Sequence, residues 1–293
     1  MTEGPAKQGN STSSVLGRRL GGELTRLRTA AGLTQPQAAQ ALTASTAKVA
    51  KLERGWVPVR DPDIHALCKL YGVEGTDTER ALLDLARVDR ERRKAKGWWN
   101  SYPELRDMVE YVALEDVATT VRTWQPCFVP GLFQTADYAR ALAVGNAAWE
   151  DPDEIERFVE AKTARQDRLR GDSPLSLWAI VSEASLRQLV GGRDVMRAQV
   201  EHVIRTAGLP SVKLQVMPFR AGAHPGMTSA FTIVSFTEPG AVDVVHMDTT
   251  STTLWLESER DASRHAALFD RIARLSLSQH DSRALLESIR EEI

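Results

Sequence analysis

The chain has almost no cysteine: Cys68 and Cys127 are the two present, at no spacing that a metal site or a redox pair would need. That excludes a disulfide framework and suits a reducing, cytoplasmic setting. Long hydrophobic runs are missing too, and no apolar stretch approaches the ~18 residues that suggest a membrane-spanning helix. The first fifteen residues, MTEGPAKQGNSTSSV, lack the apolar core of a signal peptide and read as a disordered leader over 1–15. Signatures of catalysis are also absent. There is no GxSxG elbow, P-loop, HExxH pair or dinucleotide fingerprint, and the six histidines are scattered. Glu183 and Asp243 have no partner that would make an acid–base couple. The sequence therefore predicts a protein that is not an enzyme and needs neither metal nor cofactor.

Hydrophobic residues at 42% and charged residues at 26% describe an ordinary globular protein, and 293 residues suit about two domains. The net charge of −2 conceals an asymmetry. Residues 16–60 hold eight basic side chains and only Glu23 and Glu53 as acids, a net +6 that leaves −8 for the rest. A compact basic segment on an acidic body predicts a polyanion partner for that segment alone.

Within it, Leu16, Leu20, Leu24 and Leu27 recur at helical spacing, and Gly32 supplies a stop. Thr34 is placed to cap a second helix, with Pro36 in its first turn and Gln37 able to reach back as in a capping box. After a break at Thr43-Ala44, Ser45 caps a third helix that ends at Arg54-Gly55. Asp61-Pro62 opens a fourth, closed by Tyr71-Gly72, and a fifth covers 77–90. Cys68 falls on the apolar face of the fourth helix, as a buried structural thiol. Helices two and three are short and joined by a tight turn, which is a helix-turn-helix pattern whose second helix fits the ~12 Å major groove of DNA. With Val49 and Leu52 turned inward, Thr46, Ala47, Lys48 and Lys51 point outward. Thr46 can bond a base or a phosphate, Ala47 offers a methyl surface to thymine, and Lys51 can donate to guanine. Gln35, Ser45 and Lys48 sit near helix N-termini, where phosphates are met, and Arg54 adds a cation at the end of the third helix.

These residues resemble the XRE-type, lambda-repressor-like helix-turn-helix family, through Leu33-Thr34-Gln35, Ala39 and the run from Ser45 to Gly55. The resemblance implies a structural ion pair between Arg28 and Glu53, base-facing positions at Thr46, Ala47 and Lys51, and a phosphate-facing Gln35. The sequence departs from the family at Thr43, where the turn usually holds glycine. A β-branched residue at positive φ is costly there.

The domain therefore spans 16–86. A charge run follows, giving a linker over 87–97, read as a solvated helix end or as an arm tracking phosphates. Residues 98–293 form an α+β domain with a small, mostly antiparallel sheet. Helices are predicted over 103–118, 134–144, 153–170, 193–207 and 260–276, and from Gln279. Strands are predicted over 175–181, 212–217, 231–236 and 242–246, with a turn at Pro239-Gly240. Trp124, Trp178 and Trp255 read as core or pocket wall. Arg165 and Arg168 read as a solvated helix face, and His224 lies in a Gly-Ala-His-Pro-Gly loop.

This half resembles the C-terminal domain of unknown function found in a large group of actinomycete XRE-type regulators. The likeness lies in Trp124-Gln125-Pro126, Val129-Pro130-Gly131-Leu132-Phe133-Gln134-Thr135, Tyr138, Ala164-Arg165-Gln166, Gln199 and Val216-Met217-Pro218-Phe219. It implies a regulator of double-stranded DNA, often encoded beside a small partner protein and described as antitoxin-like. A lone helix-turn-helix reads few base pairs, so a homodimer on two half-sites is the expected mode. The C-terminal domain would then supply the dimer contact, sense a ligand or a partner, or do both.

Overall fold

A computed structural model describes residues 14–94, 97–146, 151–237, 243–249 and 252–293. Most of the expected leader, the expected turn at Pro239-Gly240 and the end of the charge run at Lys96 lie outside them. The chain divides into two compact units, one ending at residue 95 and the other beginning at 96. Among the described residues no helix is long and apolar enough to cross a membrane.

The first unit is all-α: α1 (Val15–Ala30), α2 (Gln35–Ala41), α3 (Thr46–Glu53), α4 (Asp61–Tyr71) and α5 (Asp77–Lys94). The apolar stripe of α1 is inward as its spacing predicts, with Leu20 and Leu24 fully buried beside Val49, Leu52, Ile64, Leu67 and Cys68. Burial pushes the Cys68 thiol up to about 11, which leaves it an inert core residue. Helix ends are set locally. Ser45 accepts from the Lys48 amide at 3.2 Å, and Gln37 reaches back to the Thr34 amide at 2.8 Å. The fourth helix opens one residue earlier than cap-then-proline reasoning implies: Arg60 is the N-cap and Asp61 the first helical residue.

The charge run expected as a linker is helical as far as Lys94. Leu82, Ala86 and Asp89 continue one inward face of α5, so 87–94 is docked on its own unit. Asp89 accepts from Arg93 Nε at 2.8 Å and from the Ser14 hydroxyl that caps α1. Arg93 also donates to the Gly55 carbonyl at 2.6 Å, and Arg90 to the Val59 carbonyl at 2.7 Å. Periodicity missed this because the inward positions turn polar beyond Ala86.

The second unit is α+β. Its elements are α6 (Val109–Val117), β1 (Thr120–Gln125), α7 (Ala136–Asn146), α8 (Pro152–Ala164), β2 (Ser176–Ser182), α9 (Glu183–Arg187), α10 (Arg193–Thr206), β3 (Val212–Met217), β4 (Phe231–Ser235), β5 (Val244–Asp248), β6 (Thr253–Leu256), α11 (Glu259–Leu275) and α12 (Gln279–Glu292). The six strands form one sheet in the order β3-β2-β1-β4-β5-β6. β1, β2 and β3 pair in parallel, and the remaining three pairings are antiparallel, as the mostly antiparallel expectation holds. One sheet face, with Trp124, Ile180, Phe231, Ile233 and Val245, packs on Phe269 and Ile272 of α11. The opposite face alternates as strand geometry requires and presents Val121, Thr123, Leu177 and Thr232 to α6, α8 and the 126–134 loop.

That loop accounts for much of the quoted C-terminal pattern. Gln134 donates to the Val129 carbonyl (2.7 Å), Gln166 to the Gln134 carbonyl (2.6 Å) and Gln199 to the Phe133 carbonyl (2.6 Å). The Tyr138 hydroxyl accepts from the Val129 amide at 3.1 Å. Long-range glutamines and a tyrosine thus satisfy a buried turn that has no ladder of its own. Trp124 is core, and its Nε1 donates to the Gly226 carbonyl at 2.7 Å. The reading of Arg165 as a solvated residue is wrong. It is 4% exposed and forks onto Glu115, itself 1% exposed, at 2.7 and 2.8 Å. The partner lies fifty residues away, beyond the reach of helical spacing. Arg168, half-buried, donates to the Ala118 carbonyl at 2.9 Å.

Candidate nucleic-acid interface

The position of α3 is fixed by glycine. A Cβ at Gly21 would overlap the Glu53 carbonyl, and one at Gly55 would overlap the backbone of Gly17 and Arg18. The backbones of α1 and the α3 terminus therefore touch directly. Gly55, at φ 68°, also closes α3 by accepting the left-handed turn that a side chain resists. The sequence reading used Gly55 as a stop signal and gave no role to Gly17 or Gly21. Their i, i+4 spacing on the buried side of α1 was the available sign.

The turn between α2 and α3 follows the same wound-back geometry without glycine. The Ala44 amide donates to the Ala39 carbonyl (2.9 Å) and the Thr43 amide to the Gln40 carbonyl (3.1 Å). Thr43 holds φ 47°, the one positive value at a non-glycine residue among the described residues. The turn is not remodelled around threonine. The threonine adopts the glycine conformation.

The ion pair is formed. Arg28 Nε and Nη2 meet Glu53 Oε1 and Oε2 at 2.6 and 3.1 Å, and Nη1 donates to the Leu33 carbonyl at 2.8 Å. Side-chain exposure is 13% and 5%. Burial alone would raise the Glu53 carboxyl, but hydrogen bonds from Arg28 and Gln35 with the Arg28 charge outweigh it and hold the pKa below its ordinary value. The same hydrogen bond raises that of Arg28. Because the pair ties α1 to the end of α3, its work is orientation.

Of the predicted contact residues, Ser45, Thr46, Ala47, Lys51 and Arg54 are exposed, while Val49 and Leu52 are buried. Ala47, Lys51 and Arg54 follow one another at i, i+4 and i+7, so they form a single outward stripe. Arg54 also stacks over the Trp56 ring at 5.2 Å, which orders its guanidinium. Gln35 and Lys48 are placed differently from the rest. Gln35 Nε2 donates to Glu53 Oε2 at 2.7 Å, so its amide completes the buried pair. Lys48 Nζ reaches Asp63 Oδ2 at 3.2 Å, and Arg60 holds the same carboxylate at 3.0 and 3.1 Å. Asp63 thereby sets Lys48 and Arg60 side by side. Sequence reasoning missed the Lys48–Asp63–Arg60 grouping because it closes across fifteen residues and a turn, and it passed over Trp56 although Arg54 lies only two residues away.

Two family models match the chain. A helix-turn-helix domain matches residues 19–83, and a domain of unknown function (DUF5753) matches residues 108–288. No curated protein and no solved structure matches it. The first unit is thus a helix-turn-helix DNA-binding domain with a capped, outward-facing second helix. The second match spans more than half of the sequence, and the chain belongs to the family of that domain of unknown function, DUF5753.

Proposed function

We propose that this protein is a sequence-specific transcriptional regulator, without catalytic activity, that reads double-stranded DNA as a homodimer in the cytoplasm. Its C-terminal unit senses a ligand and conditions DNA binding. The observation that carries the reading is the outward stripe Ala47, Lys51 and Arg54 on α3, a helix locked by its cap, by glycine contacts and by Arg28–Glu53. Lys51 donates to a guanine edge, Ala47 meets a thymine methyl, and Thr46 and Ser45 lie where the backbone enters the groove. Lys48 and Arg60, already paired by Asp63, supply backbone cations. The two half-sites sit about one helical turn apart.

Lys51→Ala tests it. Loss of one base-edge contact of roughly 1–3 kcal/mol should weaken specific binding by about ten- to a hundredfold. Binding to scrambled DNA should fall only slightly, as expected for one lost surface charge. Equal losses on both DNAs, measured by fluorescence anisotropy, would remove Lys51 from base reading.

A further inference from the structure

The sheet face opposite Phe269 bounds a cavity of about 150 Å³. Several of the quoted C-terminal residues converge on it, among them Gln125, Pro130-Gly131-Leu132, Gln134 and Arg165. Their charges do not all cancel in the same way. Arg165 and Glu115 neutralise each other in a closed fork. Asp248, at the solvent end with 65% of its side chain exposed, is held by His246 Nε2 at 3.3 Å and Thr253 Oγ1 at 2.9 Å. Lys162 is the exception. Its Nζ donates to Gln134 Oε1 at 3.1 Å and stands 5.1 Å from the Phe158 ring. No carboxylate among the described residues lies within ion-pair distance of it.

A cation in this position is poorly solvated. Burial, reinforced by the nearby Arg165 charge and only partly offset by the charge of Asp248, pushes the Lys162 pKa down to about 8. An anion seated against it would restore the missing partner. A second observation is independent of Lys162. Gln125 donates through Nε2 to Thr123 Oγ1 at 3.1 Å, while its Oε1 is buried with no hydrogen-bond partner among the described residues. A buried acceptor left open calls for a donor. Between these polar groups the lining is apolar, with Val121, Leu132 and Leu177. The volume equals that of cavities known to admit benzene, which sets the ligand at roughly ten non-hydrogen atoms or fewer.

We propose that this cavity binds a small carboxylate with a compact apolar body and one hydrogen-bond donor, its carboxylate on Lys162 and its donor on Gln125 Oε1. This names the site and ligand class of the sensing reading above and, as a sensor, rests on it. As a binding site it is tested separately.

The probes are 3- and 4-hydroxybenzoate, with the corresponding neutral hydroxybenzamides as controls, titrated calorimetrically into the full chain. At least one acid should bind at a single site, raise the melting temperature, and bind about tenfold or more tighter than its amide. Lys162→Met should reduce acid binding to the level of the amide. If Lys162→Met fails to fold, the acid–amide ratio on the wild type still decides the question. Neither acid binding at 10 mM, or acid and amide binding alike, overturns the proposal. Acid binding that depends on Lys162 but leaves DNA affinity unchanged upholds the site and removes the sensing role.

Discussion

At the scale of single residues, a strained position and a buried charge pair in the first unit each have a measurable consequence. Thr43 is exposed and holds φ 47°, a conformation that costs a β-branched L-residue about 1–2 kcal/mol. Glycine removes that strain but loses more chain entropy on folding. Thr43→Gly should therefore stabilise the unit by about 0.5–1 kcal/mol, read as a higher urea midpoint at unchanged slope. A lower midpoint would show that the threonine side chain does something the turn geometry does not explain. Glu53 titrates below its ordinary value in the folded protein. Its contribution is thus complete above the unfolded-state pKa of about 4.3, and is lost as pH falls through the lower folded value. The wild type should exceed Glu53→Gln by roughly 1–3 kcal/mol at pH 7, with the gap closing below about pH 4. A gap that does not narrow at all as pH falls below 4 would contradict the ion pair as its source. Both features were legible beforehand, Thr43 from a departure at a glycine position and Arg28–Glu53 from the resemblance.

At the scale of elements, legibility follows distance along the chain. Helix ends in the first unit came out well because Thr34–Gln37, Ser45–Lys48 and the glycine stops act within a few residues. β1 escaped notice because Arg122 interrupts its apolar pattern; across the sheet that side chain pairs with Asp243 at 2.8 Å. β6 was missed as a four-residue edge strand. Arg165 was misread because Glu115 sits on another helix. Gly21 belongs here too, since its meaning appears only when α1 meets α3. Gly21→Ala forces a methyl into the Glu53 backbone. It should cost about 1–3 kcal/mol by overpacking and weaken DNA binding by shifting α3. Unchanged stability in a urea titration would mean that the crossing is looser than described.

At the scale of the whole molecule, the chain folds as two units that differ in charge. The first unit concentrates its positive charge between residues 16 and 60, while the remainder of the chain is acidic. A polyanion is therefore met by the first unit, and salt should weaken that contact steeply. The second unit buries charges around a cavity that none of the individual motifs predicted, since it is assembled from α6, β1, the 126–134 loop and the end of α8. Composition exposed the division of charge, and the cavity required the fold. The central claim is sequence-specific reading of DNA by α3 in a dimer. The most direct measurement is selection of binding sites from a random duplex library by the full-length wild type, with Lys51→Ala in parallel. The wild type should enrich an inverted repeat whose half-sites lie about 10–10.5 base pairs apart, and Lys51→Ala should relax preference at one position in each half. Enrichment no greater than that of the starting library, or the same site selected by both proteins, would contradict the account.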